Sequence, residues 1–221
     1  MEYFLLIPPL LLAIILHESA HGWMAERLGD PTARDLGRIT LNPLPHIDPI
    51  GTILLPALLI LVRAPFLFGW AKPVPINSSY FQNPRKGMLQ VALAGPLTNL
   101  SLSFFLGMLF RFFHLMGFDQ GFFSPLYIMI IWGVIINLVL AIFNLIPLPP
   151  LDGSKILMGL LSEEKAEKFA HYERYGFILI LLLFTIGRPI LHIFVDPFVS
   201  LFSSLFTGKS IFFLLKIIGV F

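Results

Sequence analysis

The sequence His17-Glu18-Ser19-Ala20-His21 lies inside the long apolar run near the start of the chain. On an α-helix the two histidines are one turn apart and project from the same face. Such a pair can bind a single metal ion, and Glu18 between them is placed to accept a proton. Ionisable groups are unfavourable in hydrocarbon, where one charge at the bilayer centre costs about 2.5–3.5 kcal/mol. The stretch therefore predicts a metal-binding membrane helix, the alternative being histidines that only pack against neighbouring helices.

Composition identifies the class of protein. Of 221 residues, 57% are hydrophobic and only 13% are charged, whereas a soluble domain has about a quarter charged. The lipid bilayer is therefore a predicted partner. The net charge is +2 without a basic tract, so no nucleic-acid partner is expected. Cysteine is absent, so a metal must be held by histidine, aspartate or glutamate.

Apolar runs and their stop signals predict an all-α multi-pass membrane protein. We expect spanning helices at residues 3–28, 85–116, 126–146 and 176–195. Pro189 should kink the last of them. The apolar run at residues 50–62 is short for a full crossing, which favours a re-entrant element. The placement of the apolar segments after residue 196 is left open.

The segment at residues 70–76 differs from its surroundings, because Pro73 and Pro75 exclude a helical hydrogen-bond ladder. We expect it to be a short extended or β-like piece at the membrane surface. No internal repeat or soluble domain interrupts the chain. Residues 1–221 are therefore predicted to be one integral-membrane domain, with a core at about 3–161 and C-terminal helices at about 162–221.

Asp152 is a candidate third ligand, since catalytic zinc usually takes three protein ligands. It follows a spanning helix directly, after a break caused by Pro147, Pro149 and Pro150. Non-helical backbone at membrane depth is tolerated only where it is buried in protein or lines a watery cavity. The alternative is that Asp152 caps the helix that follows it.

Positive charge predicts the orientation in the membrane. Lysine and arginine occur at positions 27, 34, 38, 72, 85, 86, 155, 165, 168 and 174, whereas the loop at 117–125 has none. We therefore predict a cell-membrane protein whose first and third helices end in the cytoplasm. Both the histidine pair and Asp152 would then lie near the cytoplasmic side.

Three motifs resemble those of a known family. The first is the His-Glu-x-x-His stretch. The second is residues 144–153, which fit N-x-x-P-x-x-x-L-D-G at every fixed position, and the third is residues 94–99, which fit A-G-P-x-x-N. Together they resemble the site-2 protease family of intramembrane zinc metalloproteases over roughly residues 3–161. Many members carry a PDZ or CBS domain, so this chain is expected to be a minimal form.

The resemblance implies a site-2-protease-like helical core and a role for each motif residue. His17, His21 and Asp152 would be the ligands of one Zn²⁺ per chain, and Glu18 the catalytic base. Asn144 would hold substrate backbone or a developing oxyanion near the metal. Asn99 is a weaker candidate for substrate binding, with an interhelical hydrogen bond as the alternative.

The 70–76 segment adds a candidate substrate site. A helical substrate must unwind before its peptide bond can be attacked, and an open strand edge pairs with extended backbone. Val74 and Ile76 are therefore candidate substrate-binding residues, the alternative being a rigid surface loop.

The sequence thus predicts an intramembrane zinc endopeptidase that cleaves membrane-spanning substrate proteins or peptides near the cytoplasmic side. A metal-ion or proton transporter using the same buried groups is the alternative from another class, although no inverted repeat supports it. An inactive scaffold that keeps the metal for stability is a third hypothesis. The sequence identifies neither the substrate nor the oligomeric state.

Overall fold

The computed structural model describes residues 2–63 and 69–219, and no β-strand occurs among them. The α-helices of these residues are α1 (Ile7–Arg27), α2 (Thr32–Asp35), α3 (Leu55–Leu61), α4 (Pro84–Leu115), α5 (Ser124–Asn144), α6 (Asp152–Leu160), α7 (Glu163–Ala170), α8 (Gly176–Thr185), α9 (Arg188–Thr207) and α10 (Ile211–Ile217). A π-helical segment, Pro49–Leu54, leads into α3. The predicted all-α membrane architecture is confirmed.

Three helical stretches are long and apolar enough to cross a membrane: Phe4–Arg27, Pro84–Leu115 and Gly121–Asn144. They agree with three of the predicted spans to within a few residues. Residues Leu191–Thr207 of α9 form a further pair with α10, bent by 80°, that passes the same test when the two are taken together. Among the described residues there are thus three candidate spans, or up to four if the bent pair is one span.

The prediction of one spanning helix at residues 176–195 is wrong, because two separate helices, α8 and α9, cover this range. Helix α9 begins soon after α8 ends, with Pro189 in its first turn. The N–H groups of Ile186 and Gly187 both donate to the Leu182 carbonyl oxygen, which closes α8. Because proline lacks an N–H and has a fixed φ, it is favoured in the first turn of a helix. Pro189 therefore starts a new helix instead of kinking one that continues.

Helix α4 lies at the centre of the helix packing. Its N-cap is Asn83, whose side-chain oxygen accepts a hydrogen bond from the Lys86 N–H at 3.0 Å, and Pro84 follows in the first turn. The helix packs against α1, α5, α6 and α9. Phe110 of α4 and Tyr127 of α5 are buried together in one hydrophobic cluster. Helix α4 therefore forms the common wall on which α1 and α6 meet.

The 70–76 segment is neither helix nor strand, so the predicted β-like piece is wrong in that detail. Alternate N–H groups nevertheless point to the same side: that of Trp70 donates to the Gly51 carbonyl and that of Lys72 to the His46 carbonyl. The partners are carbonyls of helical turns, so no ladder forms. Prolines occupy positions 73 and 75, whose N–H groups would face the other side.

Candidate metal centre

The two histidines of α1 lie on the face of the helix that is turned towards α4 and α6. Both are buried, each with 7% of its surface exposed. The Nε2 atom of His17 lies 3.1 Å from Asp152 Oδ2, and that of His21 lies 3.3 Å from the same oxygen. One ligand atom from each of the three side chains lies within 4.8 Å of the others. Asp152, which follows His21 by 131 positions in the chain, thus converges with the histidine pair on one point.

The carboxylate reaches this point because of how α5 ends. The chain leaves the helix after Asn144 and turns through Leu148 and Leu151, whose N–H groups donate to Ile146 and Leu148 carbonyls respectively. Asp152 is the first residue of α6, while Leu151 occupies the N-cap position without a capping side chain. The Asp152 carboxylate faces the histidines instead of capping the helix.

Val91, Gly95 and Asn99 form a stripe along one face of α4 that contacts the imidazole rings. The Val91 carbonyl oxygen lies 2.7 Å from His21 Nδ1, and Asn99 Oδ1 lies 2.5 Å from His17 Nδ1. Between them is Gly95, where a Cβ atom would lie 2.6 Å from Cε1 of both rings. These three α4 positions are four residues apart and so share one face. Only glycine leaves room for both rings at the middle position.

The arrangement fits a zinc ion on its own chemistry. A carbonyl oxygen only accepts, so His21 Nδ1 must carry the proton, and in a neutral ring Nε2 then presents a lone pair. Asp152 Oδ2, which that lone pair faces, is buried without a hydrogen-bond donor. Electron pairs facing one another need a cation between them. A tetrahedral ion with bonds of about 2.0–2.1 Å separates its ligand atoms by about 3.4 Å, close to the two distances from the histidines to Asp152 Oδ2.

Comparison with known proteins decides the family. Residues 116–184 match the model of peptidase family M50. The chain is also 41% identical over 216 residues to "Putative zinc metalloprotease YwhC" of Bacillus subtilis, which covers 91% of this chain and 92% of the relative. The chain belongs to peptidase family M50. The predicted resemblance to site-2 proteases is thereby confirmed, and this M50 peptidase is a membrane-embedded metalloprotease with zinc as its cofactor.

Two further relatives carry similar names. "Putative zinc metalloprotease Rip2" of Mycolicibacterium smegmatis is 29% identical over 185 residues, 82% of this chain and 66% of the relative. "Zinc metalloprotease MJ0392" of Methanocaldococcus jannaschii is 26% identical over 195 residues, 86% of this chain and 45% of the relative. No solved structure matches the M50 chain significantly.

Glu18, the expected base of the M50 peptidase, lies beside the histidine pair and is half-buried. Its Oε2 atom accepts a hydrogen bond from the backbone N–H of Val74 at 2.9 Å. Val74 is buried and Ile76 half-buried, so their side chains face protein. The 70–76 segment therefore contacts the candidate base through its backbone.

The two asparagines predicted near the metal lie in different surroundings. Asn144 is half-buried and donates from Nδ2 to the Leu140 carbonyl oxygen within its own helix, at 3.0 Å. Its assistance to substrate stays a prediction. Asn99 is fully buried and donates to the Ala13 carbonyl and to Asn137 Oδ1, which are interhelical hydrogen bonds. Its side-chain oxygen pairs with His17 Nδ1, so Asn99 lies directly behind the metal centre.

Sequence reasoning missed two residues of this centre. Gly95 lies within the A-G-P-x-x-N stretch, and its spacing of four from Asn99 is the signal for a shared face. Asn137 belongs to none of the three motifs. A lone asparagine seven residues before Asn144, in an apolar helix, was the available signal.

Proposed function

We propose that this M50 peptidase is an intramembrane endopeptidase that cleaves membrane-spanning proteins near the cytoplasmic side of the cell membrane. The observation that carries the proposal is the depth of the histidine pair. His21 and His17 precede Arg27, the last residue of α1, by six and ten residues. At 1.5 Å per residue these positions lie about 9 and 15 Å from the helix end. A peptide bond cleaved there lies within the hydrocarbon layer, close to the positively charged side.

The proposed roles follow from the contacts. His17, His21 and Asp152 hold the zinc ion, which when bound polarises a carbonyl group and makes water nucleophilic at neutral pH. Glu18 takes a proton from water and passes it to the leaving amine. The Val74 N–H holds the Glu18 carboxylate in place while it does so. Asn144 is proposed to assist by donating to substrate backbone once its side chain leaves the Leu140 carbonyl.

The substrate is proposed to meet the 70–76 segment at Val74 and Ile76, on the side to which the N–H groups of Trp70 and Lys72 also point. Val74 takes part by holding Glu18 through its N–H. The opposite side offers few donors because of Pro73 and Pro75. Within the described residues the Ile76 N–H has no hydrogen-bond acceptor, so it is available to an unwound substrate. We further propose that residues 1–221 act as one membrane domain, since α4 contacts both the N-terminal and the C-terminal helices.

The first test is cleavage by the purified full chain in liposomes. The substrate is a reporter with one spanning helix of about 20 apolar residues. We expect a cut inside the span, toward its cytoplasmic end, that stops when a chelator removes zinc and returns when zinc is restored. Mass spectrometry of the products locates the cut. Cleavage only in the soluble flank, or cleavage that survives zinc removal, contradicts the proposal.

A second prediction concerns the contact between Val74 and Glu18. Val74→Pro removes the N–H donor, and Val74→Ala retains it with a smaller side chain. A hydrogen bond to a charged group is worth about 1.5–3 kcal/mol, so Val74→Pro should slow cleavage about tenfold or more relative to Val74→Ala. Zinc content should be unchanged in both. Equal turnover of the two variants would instead make the segment a rigid surface loop without a role in cleavage.

A further inference from the structure

A chain of buried hydrogen bonds leads from α5 to the metal centre. Asn137 Nδ2 donates to the Gly133 carbonyl oxygen of the preceding turn at 2.8 Å. Asn137 Oδ1 accepts from Asn99 Nδ2 at 2.7 Å, and the same amide nitrogen donates to the Ala13 carbonyl at 3.2 Å. Asn99 Oδ1 is paired with His17 Nδ1. Both asparagines are fully buried, with 0% of their surface exposed.

The donors and acceptors in this series of hydrogen bonds can be arranged in only one way. The Gly133 carbonyl can only accept, so Asn137 must turn its NH₂ group toward it and its oxygen toward Asn99. Asn99 then uses its NH₂ group on Asn137 and on the Ala13 carbonyl, which leaves its oxygen facing His17. An amide oxygen only accepts, so His17 Nδ1 must be the protonated nitrogen. The lone pair of a neutral His17 ring is thereby left on Nε2, on the side of Asp152.

We infer that Asn137 is a positioning residue for the metal centre. Acting through Asn99, it fixes the tautomer and the ring orientation of His17, so that Nε2 is available to zinc. The inference rests on the proposed ligand set. The Asn137 side chain is fully buried and bonds to Gly133 and Asn99, so its effect on the metal centre is proposed to pass through the Asn99 amide.

The two histidines are oriented in different ways, and this makes the inference testable. His21 Nδ1 pairs with the Val91 backbone carbonyl, which no side-chain substitution removes directly. His17 depends on two side chains from two other helices. Without Asn137 the Asn99 amide keeps only the longer 3.2 Å hydrogen bond to the Ala13 carbonyl, so less opposes a rotation that would present its NH₂ group to His17 Nδ1. That rotation favours the other tautomer, with the proton on Nε2, which opposes zinc binding.

The experiment compares zinc affinity among variants of the purified full chain. The variants are Asn99→Leu, Asn137→Leu and the double variant, and affinity is measured by chelator competition. Losing an outer partner of a metal-binding histidine typically costs about 10–100-fold in affinity. We expect about that loss for Asn99→Leu, about tenfold for Asn137→Leu, and no loss in the double variant beyond that of Asn99→Leu alone. The visible spectrum of the cobalt-substituted protein should change in the same variants.

The matched control is Ser103→Ala. Ser103 Oγ donates to the Val134 carbonyl at 3.0 Å, so this fully buried bond also joins α4 to α5, but it does not lead to the histidines. Its loss should leave zinc affinity at the wild-type value. If Asn137→Leu does not fold, Asn137→Ser replaces it, because the shorter side chain cannot reach the Asn99 amide. Asn137→Asp, which as a neutral buried acid keeps one donor and one acceptor, should retain affinity within about threefold.

Two results would overturn the inference: zinc affinity in Asn137→Leu equal to that of Ser103→Ala, or fully additive losses in the double variant, which indicate general destabilisation. A different result would overturn the proposed ligand set. If His17→Ala binds zinc as tightly as the wild type, the ion is held elsewhere. If His17→Ala loses zinc while Asn137→Leu keeps it, only the positioning role fails.

Discussion

Glu18→Gln should abolish proteolysis while zinc stays bound. The substitution keeps the shape of the side chain and its acceptor for the Val74 N–H, but an amide cannot accept and return a proton. General acid–base catalysis contributes about 10²–10⁴-fold, so cleavage of the spanning reporter should fall by that factor. Single-turnover cleavage and metal analysis of the same preparation provide the two measurements.

The matched control for this variant is Glu26→Gln. Glu26 lies on the same helix and forms an ion pair with Arg34 at 3.0 Å, at the end of α1 away from the histidines. It should cleave like the wild type. The same pair of variants separates the alternatives: an inactive scaffold would show no difference between them, and a transporter would show altered metal or proton flux without any cleavage. Full proteolysis by Glu18→Gln would exclude Glu18 as the base.

Replacement of a proposed ligand should remove the zinc itself. Wild type is expected to hold about one zinc per chain, and Asp152→Ala or His21→Ala to hold little after dialysis against a chelator, since two remaining ligands fall short of the usual three. Asp152→Ala also removes the one anionic ligand and leaves two imidazoles to hold a doubly charged ion. Both variants should lack cleavage activity.

An equivalent pair of side chains elsewhere provides the control. His192 and Asp196 are joined one turn apart on α9, with Nδ1 to Oδ2 at 2.8 Å, and both are exposed. His192→Ala should keep its zinc and its activity, because this pair has no third ligand nearby among the described residues. Full zinc occupancy in His21→Ala would remove the proposed metal assignment.

The spanning core could be predicted because its signals are local. Apolar length, prolines in the first turn and glycine after the last turn set the bounds of α1, and an asparagine cap starts α4. The wrong span at residues 176–195 has a local cause too. Hydropathy does not distinguish a proline that bends a helix from one that begins the next, and the capping of α8 at Gly187 decided this case.

The support of the metal centre was less predictable, because it arises from packing between distant segments. Asn99 and Asn137 are 38 residues apart, and their hydrogen bond exists only once α4 lies against α5. The packing of α4 against α1 likewise decides why residue 95 must be glycine. Motif spacing indicates candidate ligands, but it does not indicate what lies behind them.

The α4 stripe of Val91, Gly95 and Asn99 has a consequence for substrate entry. Two hydrogen bonds to the imidazoles and a gap too narrow for one methyl group fix the register of α1 against α4. A shift of one helix along the other by a single turn would break both bonds and drive a side chain into the rings. We therefore expect the proposed membrane-spanning substrate to enter on another flank of the bundle, with the register of α1 against α4 unchanged.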